Sequence, residues 1–97
     1  MIQTFADFGT QDIFNGIGSR RARAVCPVSL WPICRRKLDQ LAVAHVITDL
    51  RAPPANRLEA LKGSRKGQFS IRINDQFRLC FRWTEQGPAE VQIVDYH

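Results

Sequence analysis

The sequence predicts an α+β fold, an antiparallel β-sheet with helices packed on one face, and three features of its pattern carry that prediction. Apolar residues recur at three- and four-residue steps through the middle of the chain. They alternate every second residue from Phe69 onward, and Pro or Gly marks the changes of period. Helices followed by two hairpins in succession place the helices on one side of the sheet. The 97 residues suffice for one core, so the whole chain, residues 1–97, is expected to form a single domain.

Residues 1–8 read as a short strand with Ile2, Phe5 and Phe8 among polar neighbours. Thr10 is placed to cap a short helix through Phe14, which Gly16 and Gly18 stop. Residues 19–23 (SRRAR) read as a basic loop ending at Pro27. The long helix starts near Ser29 or Leu30, with Ser29 as its N-cap and Pro32 in the first turn, where a missing N–H costs least. Leu30, Cys34, Leu38, Leu41, Ala42 and His45 form its apolar stripe, with His45 read as a structural histidine, while Arg35, Arg36 and Asp39 point to solvent. Pro53 and Pro54 end the element and leave residues 51–57 as loop. Phe69, Ile71 and Ile73 then alternate with Ser70, Arg72 and Asn74. Phe77, Leu79, Phe81 and Trp83 alternate with Arg78, Cys80 and Arg82. The turn between the two strands falls at Asp75-Gln76, with Asn74 as a further candidate, and Gln86-Gly87-Pro88 turns the chain into a last strand at residues 91–96. Trp31 and Trp83 are expected in the core.

No stretch approaches the roughly 18 apolar residues of a membrane span and no signal peptide opens the chain, so a cytoplasmic protein without membrane contacts is expected. Cys26, Cys34 and Cys80 lack the close pairing of zinc ligands, so they are expected as reduced, partly buried thiols with no metal bound. Fourteen Lys and Arg against nine Asp and Glu leave a net charge of +5. A domain this basic suits an anionic partner, nucleic acid or an acidic protein, and charge alone does not choose between them.

Strand alternation makes a geometric prediction. If the Phe69 and Phe77 faces pack on the helices, Arg72, Arg78 and Arg82 share the opposite face. On the last strand Gln92, Val94 and Tyr96 share one parity and Val91, Ile93 and Asp95 the other. If the first set joins the arginines, a phenol stands beside a cluster of guanidinium groups, a floor suited to phosphate. A solvated sheet face also carries arginines. The chain ends in Asp95-Tyr96-His97, which brings a carboxylate, a phenol and an imidazole to the same sheet, and imidazole moves protons near neutral pH. Metal-free RNA cleavage needs this combination: cations for the charge that grows on phosphate oxygens, and groups that take and give protons.

The run NRLEALKGSRKGQFSIRINDQFRLCFRW, residues 56–83, followed by EVQIVDYH, residues 90–97, resembles the HigB-type toxins of the RelE/ParE superfamily. The likeness is to the GraT-like branch, with its LKGDRxGQ and SIRINDQWRICF motifs. The upstream LWPICRRKLDQL and DLRAPPANRLEALKG stretches fit too. The resemblance implies a RelE-like fold and the toxin role of a type II toxin–antitoxin system. It further implies an endoribonuclease that cuts mRNA in the ribosomal A site, without a cofactor, and inhibits translation. The implied partners are the ribosome with its mRNA and a HigA-type helix-turn-helix antitoxin. Operator DNA would be reached only through the antitoxin complex.

Carried over residue by residue, the resemblance makes Lys62, Arg78, Asp95, Tyr96 and His97 the catalytic candidates, with Arg72, Arg82 and Glu59 as substrate-binding candidates. Glu59 stands where some members carry a histidine, so it reads either as a substitute base or as a plain surface charge. Phe77 replaces the usual tryptophan, Ser64 an aspartate and Ala55 a glycine. Arg20, Arg21, Arg35, Arg36 and Lys37 read either as a solvated face or as a grip on ribosomal RNA. Two rivals remain: a non-nucleolytic ParE-like toxin acting on DNA gyrase, and a protein serving mainly as a corepressor with its antitoxin.

Overall fold

The computed structural model describes residues 1–96. Three helices, α1 (Phe8–Phe14), α2 (Arg20–Val25) and α3 (Trp31–Val43), precede four strands, β1 (Glu59–Ala60), β2 (Gln68–Arg72), β3 (Phe77–Thr84) and β4 (Gly87–Asp95). The strands form one antiparallel sheet in the order β1-β2-β3-β4. This is the expected α+β architecture, and no helix among the described residues is long and apolar enough to cross a membrane.

The core lies between α3 and one face of the sheet. Cys34, Leu38 and Leu41 of α3, with Ile13 of α1, are fully buried in one cluster with Ile71, Leu79, Phe81 and Val91, which Ile73, Phe77 and Ile93 complete. Each large apolar side chain removed from water here stabilises the fold by roughly 1.5–3 kcal/mol. Trp31 joins this core, its indole N–H donating to the Cys26 carbonyl at 3.1 Å, and Trp83 packs against its edge.

The N-terminal half differs from expectation in five places. Residues 1–8 form no strand, because Asp7 caps α1 by accepting from Thr10 N at 2.6 Å. Their apolar residues also recur every third position rather than every second. The segment runs extended along the outer edge of β4 with a single bridge, Phe5 to Val91. It satisfies edge groups there: Gln3 N donates to Pro88 O at 2.8 Å and Ala6 N to Val91 O at 2.9 Å. Thr10 is therefore no cap; it is buried, and its hydroxyl accepts from Ile93 N at 3.0 Å, tying α1 to β4. The basic SRRAR stretch is helical, because Ser19 accepts from Ala22 N at 3.1 Å and Ala22 is fully buried. Ser29 caps nothing, since a 3-10 turn at Val28–Leu30 leads into α3. Finally, α3 stops at Val43, which leaves His45 exposed. The Asp49 carboxylate accepts from His45 N at 2.9 Å and Val46 N at 3.2 Å, opening a new turn there.

In the sheet, Asn74 closes the β2–β3 turn by accepting from Gln76 N at 2.9 Å and Phe77 N at 2.7 Å. The last strand starts at Gly87, earlier than the sequence suggests. Pro88 fits within it because proline, which has no N–H to donate, is tolerated on an edge strand. The short β1 pairs Glu59 with Ser70 and Ala60 with Phe69, a strand that two residues of pattern could not announce.

Candidate active site

The register decides which side chains share the face opposite the core. Arg72 pairs with Arg78, Gln68 with Arg82, and Ser70 with Cys80. Arg78 in turn pairs with Val94, and Cys80 with Gln92. Arg72, Arg78 and Arg82 therefore lie on one face, and the parity of Gln92 and Val94 brings Tyr96 to it. The Arg78 guanidinium carbon is 5.8 Å from the Tyr96 ring centroid, within the range of a cation–π contact.

Arg78 is the most constrained of the three arginines. Its side chain is only 14 % exposed, and Nη1 lies 3.3 Å from Glu59 Oε1. Nη2 donates to the carbonyl of Arg57 at 2.8 Å. Arg57 holds that carbonyl from a left-handed backbone conformation, φ 46°. Among the described residues, Arg78 Nε and Ser70 Oγ are buried without a hydrogen-bond partner, a cost of about 1–3 kcal/mol per group. Such unpaired polar groups at a site are recovered when a ligand supplies acceptors. Arg82 is 2.8 Å from Glu90 Oε2, and Arg72 pairs with Asp75 in the hairpin turn. Each arginine thus carries an exposed carboxylate. Exposed ion pairs are worth only about 0–1 kcal/mol, so a phosphate that accepts from the guanidinium fork can displace them.

The structure also separates the candidates. Glu59 is brought onto Arg78. Lys62 is exposed on the loop after β1, flanking the 3-10 turn Gly63–Arg65. Asp95 accepts from Gln76 Nε2 at 3.1 Å, while Tyr96 N donates to Gln76 O at 2.7 Å, fixing the start of the C-terminal tripeptide. His97 lies outside the described residues.

Three contributors escaped the sequence reading. The Arg57 carbonyl is a backbone atom with no residue-type signal. Ser70 was visible only as an alternating polar residue. Arg65 was read as part of a motif rather than of the basic face. Burial pushes the Cys80 thiol up, while the charges of Arg65 and Arg78 pull it back. Gly67, at φ 92°, lets Arg82 lie across the start of β2, where an added Cβ would sit 2.7 Å from Arg82 Nη1. Cys26 and Cys34 are buried free thiols 3.7 Å apart, on the helical side.

Comparison with known proteins gives a consistent picture. Residues 5–97 match the HigB-like toxin family, described as RelE-like toxin of type II toxin-antitoxin system HigB. The chain is 48% identical over 71 residues to Toxin HigB-1 of Vibrio cholerae, covering 73% of this chain and 74% of that protein. It is also 42% identical over 57 residues to an uncharacterised protein of Haemophilus influenzae, covering 59% of this chain and 56% of that one.

Proposed function

Because the chain belongs to the HigB-like family of RelE-like type II toxins, we propose that it is a metal-independent endoribonuclease that cuts mRNA on the ribosome. In this reading Arg78, with Arg72 and Lys62, binds the scissile phosphate and the negative charge that grows on its oxygens. Tyr96 stacks on or orients a nucleotide beside it. The ribose 2′-hydroxyl attacks the phosphorus as its proton is taken up, the 5′-oxygen leaves with a proton, and His97 carries one of these transfers with Asp95 orienting it. A HigA-type antitoxin neutralises the toxin, and operator DNA is engaged only through that complex. A cytoplasmic location follows from the same reading, because the ribosome is the target.

The observation that carries the proposal is the position of Arg78. It is held beneath the Tyr96 ring by Glu59 and the Arg57 carbonyl, with one buried N–H still unpaired. Glu59 is best read as the counter-ion of that arginine, because its carboxylate is engaged with a guanidinium rather than free to take a proton. The chemistry is tested by the ends of the cut RNA. Attack by the 2′-hydroxyl leaves a 2′,3′-cyclic phosphate or 3′-phosphate and a 5′-hydroxyl, and a 3′-hydroxyl product contradicts the mechanism.

A further inference from the structure

Arg20, Arg21, Arg35, Arg36 and Lys37 form one basic group by sequence, and the structure divides it. Arg21 is held 2.6 Å from Asp12, and Arg35 Nε donates to the Ile13 carbonyl at 3.1 Å. Arg36 and Lys37 instead line a surface cleft of about 250 Å³ together with Ile33, Gln40 and Pro53. Among the described residues no carboxylate pairs with either.

Lys37 is positioned rather than loose. Its ammonium donates to the side-chain oxygen of Asn56, and Asn56 is fully buried. The Asn56 amide nitrogen faces Leu50 O at 3.0 Å, Gln40 Oε1 at 3.2 Å and Ala52 O at 3.3 Å. That arrangement fixes which way the amide points and so holds its oxygen toward Lys37. Burial pushes the Lys37 pKa down, and the neighbouring charges of Arg36 and Arg72 push it further. Two cations, adjacent on α3, thus line one cleft, an arrangement that an anion relieves.

The geometry points to this cleft as a phosphodiester subsite additional to Arg78, one that holds the backbone of a bound RNA strand. The inference rests on the nuclease reading for its choice of RNA. Lys37 and Arg36 supply charge to a phosphate, while Ile33 and Pro53 offer an apolar wall to the sugar. Contacts of this kind position a strand without reading its sequence.

The test is fluorescence anisotropy of a labelled 2′-O-methyl oligoribonucleotide, which binds but cannot be cut, titrated with the full chain at several salt concentrations. The Arg36→Gln/Lys37→Met double variant is expected to bind more weakly. Its plot of log K against log salt should be shallower by about 0.7 for each cation lost. Arg20→Gln, on α2, should leave the slope unchanged. If the double variant fails to fold by circular dichroism, Arg36→Gln alone carries the test, with a change of about 0.7. An unchanged slope in a folded variant overturns the subsite, as does an equal change from Arg20→Gln. Loss of antitoxin binding with intact oligonucleotide binding also overturns it, in favour of a protein-docking surface. A chain that binds the oligonucleotide through this cleft yet never cuts RNA would retain the subsite and lose the nuclease reading.

Discussion

The guanidinium carbon of Arg78 lies 5.8 Å from the ring centroid of Tyr96, so the residue that follows β4 lies against the most buried arginine of the sheet face. The contact joins an aromatic ring just past the end of β4 to a guanidinium fork on β3. Arg78→Ala is expected to slow single-turnover RNA cleavage by about 10²–10³-fold, the loss seen when one donor to a developing anion is removed. Arg78→Lys keeps the charge without the fork and should fall between the two. Thermal midpoints measured alongside separate this loss from unfolding.

Glu59 is 3.3 Å from the same guanidinium. If it is a counter-ion, Glu59→Gln frees Arg78 for phosphate and cleavage is retained or rises, by at most about fivefold for an exposed pair worth up to about 1 kcal/mol. A general base behaves oppositely. A fall of about 10²-fold or more in a folded Glu59→Gln protein would assign the proton to Glu59.

Close packing between the first two helices depends on Gly9. A Cβ there would sit 2.3 Å from Val25 Cγ2 and 2.5 Å from the Arg21 carbonyl oxygen, and backbone cannot step aside as a flexible side chain can. Gly9→Ala is expected to destabilise the fold by about 1–3 kcal/mol in urea unfolding. An unchanged midpoint would mean that α1 and α2 are not packed this closely.

Acid stability should depend on Asp12. Hydrogen bonds from Arg21 and Ser19 hold its carboxyl below the ordinary value of 3.8. A carboxyl whose folded pKa is depressed stabilises the fold in its ionised form. The contribution is complete above the unfolded pKa and is lost as pH falls through 3.8 toward the lower folded value. Asp12→Asn should therefore lower the melting temperature at neutral pH and show a smaller further drop between neutrality and strong acid than the parent. Parallel melting curves across that range would contradict the assignment.

The strands and the arginine face were legible because a half-buried strand writes its two faces as alternation. The pattern at Phe69 to Trp83 placed Arg72, Arg78 and Arg82 together without any knowledge of register. Thr10, Ser19 and Asp7 were harder. Each can cap a helix, and which one does depends on tertiary partners such as Ile93 N for Thr10. His45 misled because a helical stripe does not state where the helix stops, and α3 ends at Val43, before Asp49 captures the backbone of His45 and Val46. The Arg57 carbonyl beneath Arg78 and the Asn56 that holds Lys37 arise from backbone path and burial, which residue types near two prolines do not encode. Lys62 came from the resemblance alone, since an exposed lysine on a loop carries no pattern that singles it out.

Primer extension on a defined mRNA in programmed ribosomes, comparing the purified chain with His97→Ala, tests the central claim most directly. The account predicts cleavage within the A-site codon that requires ribosomes and collapses in the variant. Intact mRNA with a folded, growth-inhibiting protein would contradict it, and gyrase-linked DNA breaks in the same cells would move the target to DNA gyrase.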